Sequence, residues 1–190
     1  IAGPMFMSEM IRDSLDEQGA ARIDMPVGAS PIEAEGSSGF SVTKSGDFAL
    51  AMTFADGSEA EGIRGMLLLI RPHHGRPDGG SHPTARNLGR EVLATMTAVE
   101  IEEHARGFQA LGVIRTGDAF HVLTEAVGGE VRLTQSDKGR VSGNYRLEMT
   151  TMHDGRTTTR EISGSFDAPT GDVGRLRHPA SRLIDKKRGQ

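Results

Sequence analysis

The stretch Glu130 to Ala168 constrains this chain most. From Val141 to Thr151 the odd positions hold Val, Gly, Tyr, Leu, Met and Thr, and the even positions hold Ser, Asn, Arg, Glu and Thr. Successive side chains of a strand point to opposite faces, so this alternation builds one apolar and one wet surface. Val131 and Leu133 carry the same rhythm before it, and Ile162, Gly164, Phe166 and Ala168 after it. Ser136-Asp137-Lys138-Gly139 and His153-Asp154-Gly155 supply the turn chemistry that hairpins need. The stretch therefore reads as three consecutive antiparallel strands, with the rest of the chain packed around them.

Gly143 and Gly164 fall on the apolar face of neighbouring strands. A strand glycine has a purpose when another group must come close, so a large ring from the next strand covering each gap is one reading. A pair of β-bulges is the other.

The order Gly128-Gly129, Val131, Leu133, Asp137-x-Gly139-x-Val141-Ser142-Gly143-x-Tyr145, then Ile162-Ser163-Gly164-x-Phe166-Asp167 resembles the C-terminal half of small bacterial cell-envelope β-sandwich lipoproteins of unassigned function. It covers about a fifth of the chain and consists of turn and packing residues. The resemblance implies a fold and an envelope compartment, periplasmic or envelope-associated, and carries over no catalytic residue. The lipid-bearing Cys of such proteins is absent, because the chain has no cysteine at all. Opening on Ile1 rather than Met, the run Ile-Ala-Gly-Pro-Met-Phe-Met reads as the tail of a removed signal peptide or anchor. A cytoplasmic protein trimmed at its start is the competing reading, and membrane association would come through upstream sequence.

The remaining pattern extends the β reading. Ala20 to Ser38, with Pro26 and Pro31, reads as an extended connector with a short strand at Ala21 to Met25. Gly39 to Thr43 and Asp47 to Phe54 form a hairpin, with Phe40 and Val42 on one face and Phe48, Leu50, Met52 and Phe54 on one face. Glu61 to Arg71 follows as a central strand, apolar on both faces from Met66 to Ile70 and covered from both sides, with the N-terminal helix as one cover. Pro72 to Asn87 is expected to be irregular. Leu88 to Arg106 fits both periods, and the β-branched Thr95, Thr97 and Val99 favour a strand from Glu91 to Glu102. Phe108 to Arg115 and Ala119 to Ala126 make another hairpin, and Gly128-Gly129 turns the chain into the last three strands. Before all of these, Met5 to Gln18 places Phe6, Met7, Met10, Ile11 and Leu15 at helical spacing, with Gly19 as a stop.

Candidate functional residues are few. His73, His74 and His82 gather in the 72–87 insert around Asp78, and imidazole with carboxylate can ligate zinc, copper or nickel. Adjacent histidines in an extended chain diverge, however, so a solvated polar loop is the plainer reading. Glu100, Glu102 and Glu103 lie near His104, where a carboxylate could orient a general base; an exposed strand end offers the same. The net charge is −4, and Arg175, Arg177, Arg182, Lys186, Lys187 and Arg188 against Asp185 put +5 in the last 17 residues, leaving −9 on the rest. Such a tail could dock on an acidic partner, or be a solvated chain end.

No dinucleotide or phosphate loop, nucleophile elbow, His-Glu-x-x-His pattern or Asp-rich calcium loop is present. Aromatic content of 4% argues against a base-stacking nucleic-acid surface. The expectation is thus an all-β protein: an antiparallel meander of about eight to ten strands forming a sandwich or barrel-like domain over 20–170. One N-terminal helix or processed anchor remnant over 1–19 and a basic flexible tail over 171–190 complete it. The expected role is a non-enzymatic binding or structural module of the bacterial cell envelope, holding a small apolar ligand and needing no cofactor. The alternatives are docking through the basic tail and a metal-dependent role for the His-rich loop.

Overall fold

The computed structural model describes residues 19–171. The helix expected over Met5 to Gln18 and the basic tail from Gly174 lie outside those residues. Among the described residues nine strands and two short helices follow in order: β1 (Ala20–Met25), β2 (Ile32–Val42), β3 (Phe48–Asp56), β4 (Ile63–Arg71), β5 (Gly80–Pro83), α1 (Arg90–Thr95), α2 (Ala98–Ala105), β6 (Gln109–Thr116), β7 (Ala119–Ser136), β8 (Arg140–His153) and β9 (Arg156–Pro169). Eight strands pair antiparallel in the ring β1-β2-β3-β4-β6-β7-β8-β9, and β9 returns to β1. The pairing of β7 with β8 makes this a closed barrel rather than two stacked sheets. Closure removes the exposed strand edges that a sandwich of this size would leave.

The alternation read from the sequence decides which side chains enter the barrel. Val141, Tyr145, Leu147 and Met149 of β8 point inward beside Ile162, Phe166 and Ala168 of β9 and Ile23 and Met25 of β1. Phe48, Leu50, Met52 and Phe54 have adjacent alternate residues that are also buried, because β3 and β4 are covered on both faces. An eight-stranded barrel is just wide enough for side chains to fill it. Here they do so with Leu, Ile, Met and Phe, each fully buried one contributing about 1.5–3 kcal/mol. One end is plugged by phenylalanines: Phe40 stacks on Phe48 at 5.7 Å, and Phe48 meets Phe108 edge-on at 6.0 Å.

The covering-ring reading holds at Gly164 alone, and neither glycine is itself a bulge. Gly164 lies under the ring of Tyr145, whose hydroxyl donates to the Arg22 carbonyl at 2.8 Å. Gly143 is met by the backbone of β7, at the register shift between Leu133 and Gln135. Burial pushes the Tyr145 hydroxyl pKa upward, so it stays a neutral donor.

Four sequence expectations require correction. The strand expected from Glu91 to Glu102 is helical instead: Thr97 accepts from the Glu100 backbone while the Glu100 carboxylate takes the Thr97 N–H, a capping box that starts α2. Local capping overrides the β-branched bias there, and Leu93, Ile101 and Ala105 bury together. Gly128-Gly129 is no turn, because β7 runs through it with register shifts on either side of Ala126 and bends instead. β2 starts at Ile32 rather than Gly39, since Ile32 and Ala34 pair with Met25 and Ile23 of β1. The 72–87 insert holds one regular piece, β5, paired with Glu130 to Leu133 of β7.

That insert mends a gap in the barrel wall. β7 pairs with β6 over residues 119–123 and with β5 over 130–133. At the fork between them Asn87 donates through Nδ2 to the Ala110 and Thr124 carbonyls, both at 2.9 Å. Buried backbone carbonyls left without donors would be costly, so a side-chain amide substitutes for the ladder.

The Tyr145–Gly164 contact yields a stability order. Tyr145→Phe leaves the Arg22 carbonyl without its buried donor and should lower the unfolding free energy by about 1–2 kcal/mol. Gly164→Val places a side chain where the ring and the β1 backbone already sit, and should cost more than Tyr145→Phe, about 3 kcal/mol. Urea unfolding of both variants checks this; the reverse order would contradict the packing described.

Candidate functional site

Opposite the phenylalanine plug, the barrel end is polar on one side. Thr151 and His153 continue the inward-facing row of β8, His121 continues that of β7 beyond Leu123, and Thr158 and Arg160 continue that of β9. At the same end Val27 and Ile63 pack partly buried against the core. This end therefore combines polar and apolar side chains.

His121 is 4% exposed, and its ring lies flat on that of His153, with centroids 4.4 Å apart and planes 20° from parallel. Its Nδ1 is buried without a hydrogen-bond partner. His153 is held on both sides: Nδ1 lies 2.8 Å from the Phe120 carbonyl, and Nε2 lies 3.3 Å from an Asp154 oxygen. Arg160 extends toward the β1–β2 turn and donates to the Pro26 carbonyl at 3.3 Å. The Thr151 hydroxyl is occupied by the Thr158 carbonyl and hydroxyl, at 3.1 and 3.0 Å. Burial holds the pKa of His121 below the ordinary imidazole value; the neighbouring His153 and Arg160 charges lower it further and Asp154 opposes them.

The chemistry available is recognition rather than nucleophilic attack. A neutral imidazole with a free ring nitrogen can meet a donor or an acceptor, and Arg160 offers guanidinium hydrogens beside it. Stacked imidazoles aim their lone pairs along parallel planes, a poor geometry for one shared metal ion. Among the described residues no group of three or more His, Asp or Glu side chains is arranged to hold a metal.

The histidines singled out in the sequence go to separate partners. The His73 backbone N–H donates to Asp47 at 3.1 Å, His74 Nε2 meets the Glu102 carbonyl at 3.3 Å, and His82 Nε2 meets the Asp78 carbonyl at 2.6 Å. His82 also packs its ring against Phe108. These contacts tie the insert to the β2–β3 turn, to α2 and to the plug, and they draw no second imidazole to Asp78. His104 sits in the last turn of α2, where burial lowers its pKa, with Nε2 unpartnered. Glu100 is spent on the capping box. Arg175, Arg177, Arg182, Lys186, Lys187 and Arg188 lie outside the described residues.

His121, His153 and Arg160 were not singled out in the sequence. The signal was present: His121 shares parity with Leu123, and His153 shares it with Met149 and Thr151, so both histidines belong to an inner face. The register between β7 and β8, which sets them side by side, is not readable from alternation alone.

Comparison of the chain with protein-family models, with curated proteins and with solved structures found no match.

A pH dependence follows from the depressed His121 pKa. The fold keeps this imidazole neutral, whereas the unfolded chain takes up its proton near pH 6.5. Between the depressed folded value and about 6.5 the unfolded state binds more protons, so stability rises with pH through that window. Acidification from about pH 7.5 to about pH 5 should therefore weaken the fold, with half-buried His104 adding to the effect in the same direction. His121→Gln should flatten the slope, as urea midpoints across that range would record. An unchanged slope would remove His121 from the account.

Proposed function

We propose that this chain is a non-enzymatic binding module of the bacterial cell envelope that takes a small ligand at the polar end of its barrel. The observation that carries the binding site is the buried, unpartnered Nδ1 of His121 close to Arg160, at the barrel end where Val27 and Ile63 pack partly buried against the core. An unpartnered buried polar atom costs free energy in the unliganded protein, and a ligand that satisfies it recovers that cost. The ligand chemistry that fits is an acceptor or acidic head for Arg160 and His121 on an apolar body. The interior itself is packed with side chains, which favours the barrel end over a central cavity as the place of contact.

The non-enzymatic part of the reading is supported by the site's partners. A general base is normally oriented by a third group and hydrogen-bonded to a nucleophile or substrate proton. His121 has a stack instead, and the nearby threonine hydroxyl is already committed. The envelope part is supported by the turn and packing residues from Gly128 to Asp167 that resemble envelope lipoproteins.

Octanoate, a carboxylate on an apolar chain, is a suitable first probe. Titration followed by NMR should move the His121 ring signals and the Arg160 Nε signal. Arg160→Gln should weaken binding about tenfold or more, the scale of a charge-assisted hydrogen bond. Saturating octanoate with no change at His121 or Arg160, or equal affinity in Arg160→Gln, would overturn the site.

A further inference from the structure

We infer, resting on the binding reading above, that the rim site takes its acidic ligand together with one proton, and that this proton comes to rest on the His121 ring. The site then selects a weak acid over a neutral amphiphile of the same length, and holds the acid more tightly as the pH falls.

The geometry starts from the β7–β8 register. His121 and His153 both end inward-facing rows, and the Val122–Met152 pairing sets them side by side. Their rings stack with centroids 4.4 Å apart and planes 20° from parallel. The two rings have different partners. His153 Nδ1 lies 2.8 Å from the Phe120 carbonyl, which can only accept, so that nitrogen carries a hydrogen. Its Nε2 lies 3.3 Å from an Asp154 carboxylate oxygen. Both nitrogens of His153 are thus turned to protein acceptors, and the ring is a fixed platform for its neighbour. His121 is arranged the other way: its Nδ1 is buried and has no partner. An imidazole nitrogen in that state is open to a proton and to a ligand atom.

Three charged or titratable groups face His121: His153 from β8, Arg160 from β9 and Asp154 from the β8–β9 turn. Across the ladder on β6 its pair is Ile114, which carries no charge. Without a ligand, burial does most to keep the ring neutral, and repulsion from His153 and Arg160 outweighs the single opposing carboxylate. A ligand carboxylate drawn to Arg160 reverses that balance. It sets a negative charge against the ring, offsets the repulsion and accepts the Nδ1–H in a charge-assisted bond. Neutral imidazole, ligand carboxylate and one proton from solvent become an imidazolium–carboxylate pair, and the new N–H is the one bond formed. A neutral amphiphile brings no charge, so His121 stays neutral beside it. The stack limits the ring's freedom to swing away, so the proton and the ligand meet at one fixed place.

The test is calorimetric titration of the full chain with octanoate and octanamide from about pH 8 to about pH 6, a range in which a carboxylic acid stays ionised. Octanoate affinity should rise about three- to tenfold as the pH falls across it, the factor produced by a rise of up to about one unit in a linked pKa. Repeating the titration near neutral pH in two buffers of different ionisation heat should show part of a proton taken up per octanoate bound, and none with octanamide. His121→Gln should abolish the uptake and flatten the pH profile. His153→Phe keeps a flat ring in the stack and should retain the uptake. Octanoate bound through Arg160 with equal affinity across the range and no proton uptake overturns the inference while the binding site stands. Uptake that survives in His121→Gln and vanishes in His153→Phe moves the proton to the other ring and overturns it as well. No octanoate binding at any pH removes the site and the inference together.

Discussion

The pairing of β7 with β8 is the contact on which the rest depends. It is the seam that turns a meander into a ring, and it runs from Val122–Met152 at one end to Ser136–Val141 at the other. Without it β7 and β8 would each present a long edge, and the inward residues of both would lose the opposite wall. Once eight strands close, the interior is narrow, and Leu, Met, Ile and Phe side chains fill it. The seam tolerates register shifts at three places, all of them recorded along β7, the longest strand. Bulges concentrate twist, and an 18-residue strand in a barrel this small has to bend.

Closure also explains why the two ends differ. At one end Phe40, Phe48 and Phe108 seal the core with ring contacts, and the insert between β4 and β6 packs there through His82. At the other end the strands β7, β8 and β9 outlast the apolar pattern, and their inward rows finish in His121, His153, Thr158 and Arg160. A polar inward row at an open rim is stable because water and turn carbonyls can reach it; the same residues deeper in the barrel would be polar groups without partners. At that rim His121 is the point where this compromise is incomplete, because its Nδ1 is buried without a partner.

The sheet was legible because its signal is local. The period-two rhythm of 130–168 and the turns at Lys44-Ser45-Gly46, Thr116-Gly117-Asp118, Ser136 to Gly139 and Asp154-Gly155 fix strands without knowledge of their partners. The strand Glu61 to Arg71, apolar on both faces, was correctly read as buried on both sides. What failed was either a competition between local rules or a matter of partners. At Thr97 a capping box outweighed β-branching, and at Gly128-Gly129 a bend replaced a turn. Sandwich or barrel could not be chosen from one sequence, because the choice rests on which edge meets which. The same holds for the site: His121 and His153 are 32 positions apart and become neighbours only through the β7–β8 register. The loop histidines are close in sequence, which is a weak guide to convergence in space.

The seam can be observed directly. Cross-strand Hα–Hα NOEs in a uniformly labelled sample should link β7 to β8 near Gly129–Leu147 and Val131–Tyr145, and link β9 to β1 near Gly164–Ile23, in the same molecule. Amide protons along both edges of β8 should exchange slowly together. If β8 pairs only with β9, and its other edge exchanges as freely as an open sheet's, the barrel is not closed and the account built on its packed interior and polar rim is wrong.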